Sequence, residues 1–295
     1  MTETNPFAEI AVMETDDLAL VRSVKRGSRT ALETLVQRHQ QWIYNIVLRM
    51  VYLPQEAEDA TQEILIKVVT RLGTFEERSS FRTWLYRIAV NHVLNMKRSR
   101  AEEVNWTFDR YGEGLSSAPD EELPDPRSVP ADLKLLVDEA RIGCTSGMLL
   151  CLDREQRLVY ILGEIFGVTD RVASELLEIS RENFRKKLSR ARRDLHFFME
   201  RQCGLINKAN PCRCEKKTRA FMRAGYVDPA NLLFAQDHVM RVRDVAQKAH
   251  DDMASLDTAY AEIHRDHPFH QSPDFMQSLR RLIEHPDFKS ILELN

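Results

Sequence analysis

Apolar side chains recur every three or four residues through most of this chain, and that spacing limits the fold more than any other feature. The period matches one face of an α-helix, because 3.6 residues complete one turn. The clearest run, which includes one histidine, is Leu32, Leu35, Val36, His39, Ile43, Ile46, Val47 and Met50. Glycine is scarce, at 10 of 295 residues, and hydrophobic residues make up 43%. We therefore predict an all-α protein with well-buried cores.

Composition divides the chain into five segments. The predicted divisions are a disordered N-terminus (1–14), a helical domain (15–100), a flexible acidic linker (101–130), a second helical domain (131–199) and a helical extension containing Cys and His (200–295). The linker assignment rests on four Pro, many acids and no apolar period. Within the extension, a long amphipathic helix is predicted between Val242 and Ile263, and Ser272-Pro273 opens another.

Local signals place several helix starts. Pro54 suits the first position of a helix, and Ser79-Ser80 precede the next helix. Asp153 and Ser180 have the side chains of N-terminal caps, because their oxygens can accept free backbone N–H groups.

Charge and cysteine content indicate a compartment. No apolar run approaches the ~18 residues of a membrane span, and the polar, acidic start is unlike a signal peptide. We expect a cytoplasmic protein that does not bind a membrane. Its five Cys are expected to be reduced thiols or metal ligands. The net charge of −3 does not suggest DNA binding, so local patches must decide that question.

The most basic patch follows a short predicted helix through Val172 and Leu177, with a tight turn between them. This order is typical of a helix-turn-helix, whose second helix enters the major groove. The cations of this patch, which can neutralise phosphates, are Arg181, Arg185, Lys186, Lys187, Arg190, Arg192 and Arg193. Asn183, Arg185, Lys186 and Lys187 are placed to reach base edges or phosphates. A solvated helix face is the alternative.

Residues 75–100 interleave aromatic and basic side chains. Such a pattern suits single-stranded nucleic acid, because rings stack on bases while cations follow the backbone. The aromatics Phe75, Phe81, Trp84 and Tyr86 alternate with Arg82, Arg87, Asn91, Asn95, Lys97, Arg98 and Arg100. Phe81, Leu85 and Ile88 fit a core better.

A polar face precedes this segment. Asp59, Gln62, Glu63 and Ile66 share one side of a helix at three/four spacing. A solvated face and a protein-docking face are both compatible with it.

The order of these pieces resembles extracytoplasmic-function sigma factors over residues 15–200. The motifs that carry the resemblance are AEDATQE, SSFRTWLYRIAVN, LDREQRLVYILGEIF and KKLSRARRDL. The resemblance implies a region-two domain over 15–100 and a region-four domain over 131–199. It also implies a subunit that binds RNA polymerase core and directs promoter recognition and melting.

The resemblance assigns roles to individual residues. Asp59, Gln62 and Glu63 would dock on the β′ clamp helices, and region four would also contact the β flap. The minus-ten element would be held by Phe75, Ser80, Arg82, Thr83, Trp84, Arg87, Asn91, Asn95, Lys97 and Arg98. The minus-thirty-five element would be read by Arg181, Asn183, Arg185, Lys186, Lys187, Arg190 and Arg192. One departure is the loop Phe75-Glu76-Glu77-Arg78, which lacks glycine and puts two acids where DNA should pass.

The extension is absent from minimal members of that family. It contains Cys203, Cys212 and Cys214, which with a fourth ligand would form a structural zinc site. The candidates for the fourth ligand are His196, His238, His264, His267, His270, Cys144 and Cys151. Reduced thiols and a redox switch are the alternatives. No cofactor is required for the predicted function, and the extension could be autoinhibitory in place of an anti-sigma factor.

Three other classes of function compete. A helix-turn-helix regulator acting without polymerase would leave residues 59–98 unexplained. A protein-interaction scaffold would make the basic helix a solvated face. Catalysis is not expected, because the P-loop, dinucleotide-turn, H-E-x-x-H and G-x-S-x-G motifs are missing from the sequence.

Overall fold

The computed structural model describes residues 10–124 and 133–234, with short pieces at 263–265, 272–276 and 279–280. Its α-helices are α1 (Ile10–Lys25), α2 (Arg29–Val51), α3 (Pro54–Arg71), α4 (Phe81–Asn95), α5 (Arg100–Glu103), α6 (Phe108–Ser117), α7 (Leu133–Leu149), α8 (Arg154–Tyr160), α9 (Asp170–Leu177), α10 (Arg181–Gln202) and α11 (Cys214–Arg223). A 3₁₀ turn, Leu72–Thr74, follows α3, and a π turn, Ile161–Ile165, follows α8. Within those residues no β-strand forms, and the all-α prediction is confirmed.

The helix starts lie where the local signals predicted them. Pro54 is the first residue of α3, where its missing N–H is not needed. Ser80 caps α4 by accepting the Thr83 N–H at 3.0 Å. Asp153 accepts the Gln156 N–H at 2.8 Å. Ser180 accepts the Asn183 N–H at 3.1 Å, and this cap begins α10.

Contacts divide the chain into two units that interleave along the sequence. The first unit comprises residues 1–99, 166–185 and 270–295, and the second comprises 100–165 and 186–269. In the first unit, α2 packs against α1 and α3, and α4 packs against α3. The complete stripe predicted on α2 is buried, from Leu32 to Met50. Burial of this apolar face stabilises the packing.

A buried carboxylate joins three helices of the first unit. Asp17 of α1 has 0% exposed surface, and its Oδ2 lies 3.2 Å from Nε2 of His39 and 3.1 Å from Nε of Arg82. Its Oδ1 accepts from Nη1 of Arg38 at 3.1 Å. Burial raises the pKa of Asp17, but hydrogen bonds to His39 and Arg82 outweigh it and leave the pKa below 3.8. Asp17 is therefore charged at neutral pH and fixes α4 against α1 and α2.

The acidic segment 101–130 is not the irregular linker that the sequence predicts. It contains α5 and α6 in its described part, and Phe108 of α6 packs on Phe198 with ring centroids 5.1 Å apart. Residues 125–130 lie outside the described part of the chain. The sequence prediction was wrong because the few apolar residues here find partners far along the chain.

An ion network holds α5 in the second unit. The Glu102 carboxylate accepts from Arg154 at 2.7 and 2.8 Å and from Nη1 of Arg157 at 2.9 Å. Arg157 also donates to the carbonyls of Leu149 and Leu152, at 3.0 and 3.2 Å. It thereby satisfies carbonyls at and just beyond the end of α7.

One other predicted boundary differs from the structure, and one predicted helix is not described by it. Helix α1 begins at Ile10, inside the segment predicted to be disordered, because the helical pattern reaches further towards the N-terminus than the predicted boundary at residue 15. The helix predicted from Val242 to Ile263 lies outside the described residues, apart from its last position. No described helix combines the length and the apolar character needed to cross a bilayer.

We expect Asp17→Asn to lower the free energy of unfolding by about 3–5 kcal/mol, because it leaves Arg82 buried without its counter-charge. The folded pKa of Asp17 lies below the unfolded value near 3.8, so its contribution is complete above that value and disappears as pH falls through the folded pKa. Urea unfolding at a series of pH values measures both effects. Asp16→Asn is the control, since the Asp16 side chain is 62% exposed and lies 3.7 Å from Arg38. Equal stability of the two variants would contradict the role of Asp17.

Candidate nucleic-acid and protein interface

The loop before α4 is anchored to the core by its aromatic residue. Phe75 is 2% exposed, and its ring centroid lies 5.6 Å from that of Phe81 and 5.4 Å from that of Trp84. Nζ of Lys25 donates to the Phe75 carbonyl at 2.5 Å. Phe75 therefore supports the loop, while Trp84 remains half-buried and reaches a surface groove.

Three residues predicted to touch DNA lie in the core. Phe75, Arg82 and Thr83 are all buried. Arg82 is held by Asp17, and Thr83 lies within the cap of α4, with its Oγ1 2.9 Å from Oγ of Ser80. The prediction is corrected for these three, because aromatic, cationic and hydroxyl side chains serve a core as well as a ligand. Ser80 acts here as the cap.

The two acids of this loop are neutralised within the protein. Glu77 receives two hydrogen bonds from Arg22 of α1, at 2.7 and 3.1 Å. Glu76 lies 2.6 Å from Nη2 of Arg78. The loop therefore presents less negative charge to a nucleic acid than its sequence indicates.

A groove of about 930 Å³ runs between α3 and α4. Its lining residues from α3 are both acidic and basic, while α4 and the residues after it contribute amides and cations. The lining includes Glu56, Asp59, Glu63, Lys67 and Arg71 on one side, and Trp84, Arg87, Asn91, His92, Asn95, Lys97 and Arg98 on the other. Asp59, Glu63, Asn91, Asn95, Lys97 and Arg98 are exposed, and Gln62 is half-buried. The structure thus brings the predicted polymerase-binding and minus-ten residues to adjoining surfaces.

Lys67 and His92 were not singled out from the sequence, and they connect the two walls. Nζ of Lys67 lies 2.6 Å from Nδ1 of His92, and Glu63 lies 3.6 Å from Nε2 of the same ring. Burial lowers the pKa of His92, and the Lys67 charge lowers it further. His92 therefore stays neutral and accepts from Lys67. Its position three residues from Asn95 and one from Asn91 was the only sequence signal for it.

The predicted DNA-facing helix α4 is engaged by α9. Nη2 of Arg87 donates to the Glu175 carbonyl at 3.0 Å, and Nε lies 3.5 Å from the Glu178 carboxylate. Glu178 ends α9 in the left-handed conformation, with φ 55°. Arg87 is consequently shared between the groove and the first helix of the helix-turn-helix.

The helix-turn-helix is formed by α9, a short turn at 178–180 and α10. Thr169 caps α9, and Phe184 buries the start of α10. Arg181, Asn183, Arg185, Lys186, Arg190, Arg192 and Arg193 are exposed on α10, and Lys187 is half-buried. These exposed cations form the basic face of α10, and such side chains can neutralise phosphates.

Several of these cations already pair with acids outside α10. Arg185 pairs with Asp170 of α9, at the start of the helix-turn-helix. Lys187 lies 2.5 Å from Glu155 of α8, and Nε of Arg192 donates to Glu164 at 2.7 Å. These partners orient the side chains, and a phosphate would have to compete with each of them. The sequence shows the cations but gives no indication of their partners.

Comparison with known proteins identifies the first domain. The family model for sigma-70 region 2 matches residues 35–103. These residues include α3 and α4, which line the groove. The chain thus contains a sigma-70 region 2 domain.

Curated relatives extend the match. The RNA polymerase sigma-H factor of Pseudomonas aeruginosa is 29% identical over 181 residues, covering 60% of this chain and 90% of that protein. The ECF RNA polymerase sigma factor SigW of Bacillus subtilis is 27% identical over 184 residues, covering 57% and 94%. The ECF RNA polymerase sigma-E factor of Escherichia coli is 41% identical over 80 residues, covering 27% and 41%. Over about 60% of its length, this chain is thus similar to RNA polymerase sigma factors of the extracytoplasmic-function group.

Among solved structures, that of CnrH in complex with the cytosolic domain of CnrY is similar to this chain. The TM-score is 0.45 at 20% identity, covering 62% of this chain and 97% of that one. The sigma factor RpoE in complex with the anti-sigma factor NepR from Bartonella quintana gives a TM-score of 0.34 at 15% identity.

Proposed function

We propose that this protein is an alternative sigma factor that binds RNA polymerase core and directs promoter recognition and melting. The match of residues 35–103 to sigma-70 region 2 is the observation that carries the proposal. The protein would act in the cytoplasm, where polymerase works. It would bind the opened promoter more tightly than the closed promoter and so lower the free energy of opening, while polymerase performs the chemistry.

The arrangement of charges supports two separate contacts. Exposed carboxylates of Asp59 and Glu63 offer a docking surface for polymerase, with Gln62 between them. Asn91, Asn95, Lys97 and Arg98 offer amides and cations to the separated strands of the minus-ten element, and Trp84 offers a ring for stacking. The basic face of α10 would read the minus-thirty-five element in the major groove.

Transcription in vitro tests the proposal directly. Purified protein, bacterial core polymerase and a promoter library are combined, and the transcripts are sequenced. Initiation that depends on the protein and shares a two-element promoter is the expected result. Tight binding to operator DNA without core polymerase, and no transcription, would instead favour a free-standing helix-turn-helix regulator.

We expect the double variant Asp59→Ala/Glu63→Ala to bind core polymerase at least about tenfold more weakly, because two exposed charges at one docking surface are lost. Fluorescence anisotropy of labelled protein titrated with core polymerase measures the affinity. Glu113→Ala, an exposed acid on α6, is the matched control and should bind normally. Unchanged affinity of the double variant would remove this face from the docking surface.

We expect Arg190→Gln to weaken holoenzyme binding to promoter DNA and to reduce the slope of log affinity against log salt by about 1, because one phosphate contact is lost. Filter binding at several salt concentrations provides the slope. Arg201→Gln changes the same residue type in the last turn of α10 and should leave the slope unchanged. Identical slopes for both variants would show that Arg190 does not contact phosphate.

We also propose that the extension restrains the first domain. Phe275, Met276 and Leu279 are buried in the first unit, and the Phe275 ring centroid lies 6.3 Å from that of Tyr44. Arg280 donates twice to Glu33 of α2, with both distances 2.9 Å. This segment therefore covers part of α2.

The covered part of α2 lies close to α3. Burial raises the pKa of Tyr44 to about 12, and the nearby charge of Glu58 contributes to that rise. Glu58 is the neighbour of Asp59 on α3. A segment held over Tyr44 is therefore well placed to hinder polymerase docking.

We expect Glu33→Arg to increase core binding and transcription, because repulsion from Arg280 releases the segment. The reversed pair, Glu33→Arg with Arg280→Glu, restores the attraction and should restore the lower activity. The polymerase titration and the transcription assay described above provide the readouts. No effect of Glu33→Arg, or no reversal in the double variant, would contradict a restraining role.

A further inference from the structure

Four cysteines from distant parts of the sequence lie near one another in the second unit. Cys144 lies on α7, Cys203 directly follows α10, and Cys214 is the first residue of α11. Cys212 precedes α11 by two residues. All five cysteines of the chain are free of disulfide bonds. Cys151, the fifth, lies in the turn between α7 and α8.

The backbone places Cys203 beside Cys212. The two residues form an isolated parallel β-bridge, so their backbones run side by side at the close spacing of paired strands. Gly204 allows this approach, because a Cβ there would lie 2.1 Å from the Cys212 carbonyl oxygen. The pairing therefore requires a glycine directly after Cys203.

Hydrogen bonds fix the turn that joins them. The Asn210 amide donates to the carbonyls of Glu200 and Cys203, at 2.8 and 3.2 Å. The Arg213 guanidinium donates to the carbonyls of Lys208 and Cys212, at 2.7 and 3.0 Å. The turn is thus held from both sides and is not an unconstrained loop.

An extended residue sets the spacing of the next pair. Arg213 has φ −126° and ψ 128°, the conformation of a strand. Side chains two residues apart along an extended segment point to the same side. Cys212 and Cys214 therefore share a side, with Arg213 directed away between them.

The packing of α11 on α7 adds the fourth thiol. Leu136 and Ala140 of α7 form a buried cluster with Val227, against which Phe221 of α11 packs. The Tyr111 hydroxyl donates to the Cys144 carbonyl at 2.8 Å and so fixes this turn of α7. Burial raises the pKa of Cys144, and the nearness of the other three thiols, Cys214, Cys203 and Cys212, raises it further.

Cations lie near Cys203, Cys212 and Cys214, and the acids Asp120 and Glu215 also lie near the last two of these thiols. Arg141 acts electrostatically on Cys203 and Cys214, Arg213 on Cys203 and Cys212, and Lys217 on Cys212. Four thiolates around a divalent cation carry a net charge of −2, which nearby positive charges stabilise. Neutral thiols would gain nothing from such neighbours.

We propose that Cys144, Cys203, Cys212 and Cys214 bind one zinc ion as a tetrahedral structural site. Zinc favours four thiolates, and a closed site of this type needs no open position for a substrate. No group of three or more His, Cys, Asp or Glu side chains in the described residues already has a metal-holding arrangement. The sulfurs would therefore converge by rotation about χ1 on a backbone that is already in place.

Bound zinc would connect the end of α10 to α7 and to the start of α11. None of the four cysteines is among the groove residues or the cations of α10, so the zinc proposal does not depend on the proposed function. It identifies Cys144, 59 residues before Cys203, as the fourth ligand.

The test uses the full chain, kept reduced with a phosphine. After removal of metal by a chelator, the protein is reconstituted with zinc alone, and bound metal is measured by mass spectrometry. We expect about one ion per chain, and cobalt in its place should give the absorption of a tetrahedral tetrathiolate. Cys144→Ser, Cys203→Ser, Cys212→Ser and Cys214→Ser should each lose stoichiometric metal, and the control Cys151→Ser should retain it.

A second measurement avoids variants that fail to fold. The reduced wild-type chain is alkylated with and without zinc, and each cysteine peptide is quantified. Zinc should protect the four proposed ligands at least about tenfold, and Cys151 should react equally in both samples. Failure to bind stoichiometric zinc, retention of a full ion by Cys144→Ser, or unprotected ligands would overturn the proposal. So would a Cys203–Cys212 disulfide formed in air by a reduced chain that binds no zinc.

Discussion

The position of α4 depends on a carboxylate that has no contact with solvent. A buried charge is unfavourable unless neighbouring groups compensate it, and Asp17 is compensated by His39, Arg82 and Arg38. Because these partners lie on α2 and α4, the charge can be satisfied only when the three helices are assembled. The hydrogen bonds of Asp17 therefore restrict how α1, α2 and α4 can pack, and they also stabilise that packing. It determines which face of α4 remains for Asn91 and Asn95.

The second unit also contains a buried charge that neighbouring groups compensate, but there the charge is positive. There the buried group is the Arg157 guanidinium, which joins Glu102 to the carbonyls at the end of α7. A rigid planar fork can satisfy several acceptors in fixed directions, which an ammonium group cannot. Helix α5 is held by this fork through Glu102, so α5 is part of the packed structure.

The sequence could predict those interactions whose two partners lie close together along the chain. The caps at Ser80, Asp153 and Ser180 were recognisable because the side chain and its backbone partner are three residues apart. The pairs Asp17–Arg82 and Glu102–Arg154 span 65 and 52 residues, and neither leaves a periodic signal. The segment 101–130 was misjudged for that reason.

In the candidate site, residue type alone does not show which side chains are buried and which line the groove. The aromatic and basic pattern of residues 75–100 predicted a binding surface, but it could not separate side chains that line the groove from side chains that support it. Phe75 and Arg82 have the chemistry of nucleic-acid contacts, yet they are buried. Alternating aromatic and charged side chains serve the core of this domain as well as they would serve a ligand-binding surface. Only the burial of each side chain distinguishes these two roles.

Arg87 shows what such a shared residue implies for binding. Its side chain is 36% exposed and that of Glu178 is 61% exposed, so their ion pair contributes about 0–1 kcal/mol at most in water. A phosphate offers the same guanidinium a comparable or stronger charge-assisted hydrogen bond. The ion pair with Glu178 would therefore not prevent the Arg87 guanidinium from binding a phosphate instead. Because Arg87 lines the groove and also donates to the Glu175 carbonyl, the proposed promoter contact would use the side chain that joins α4 to α9.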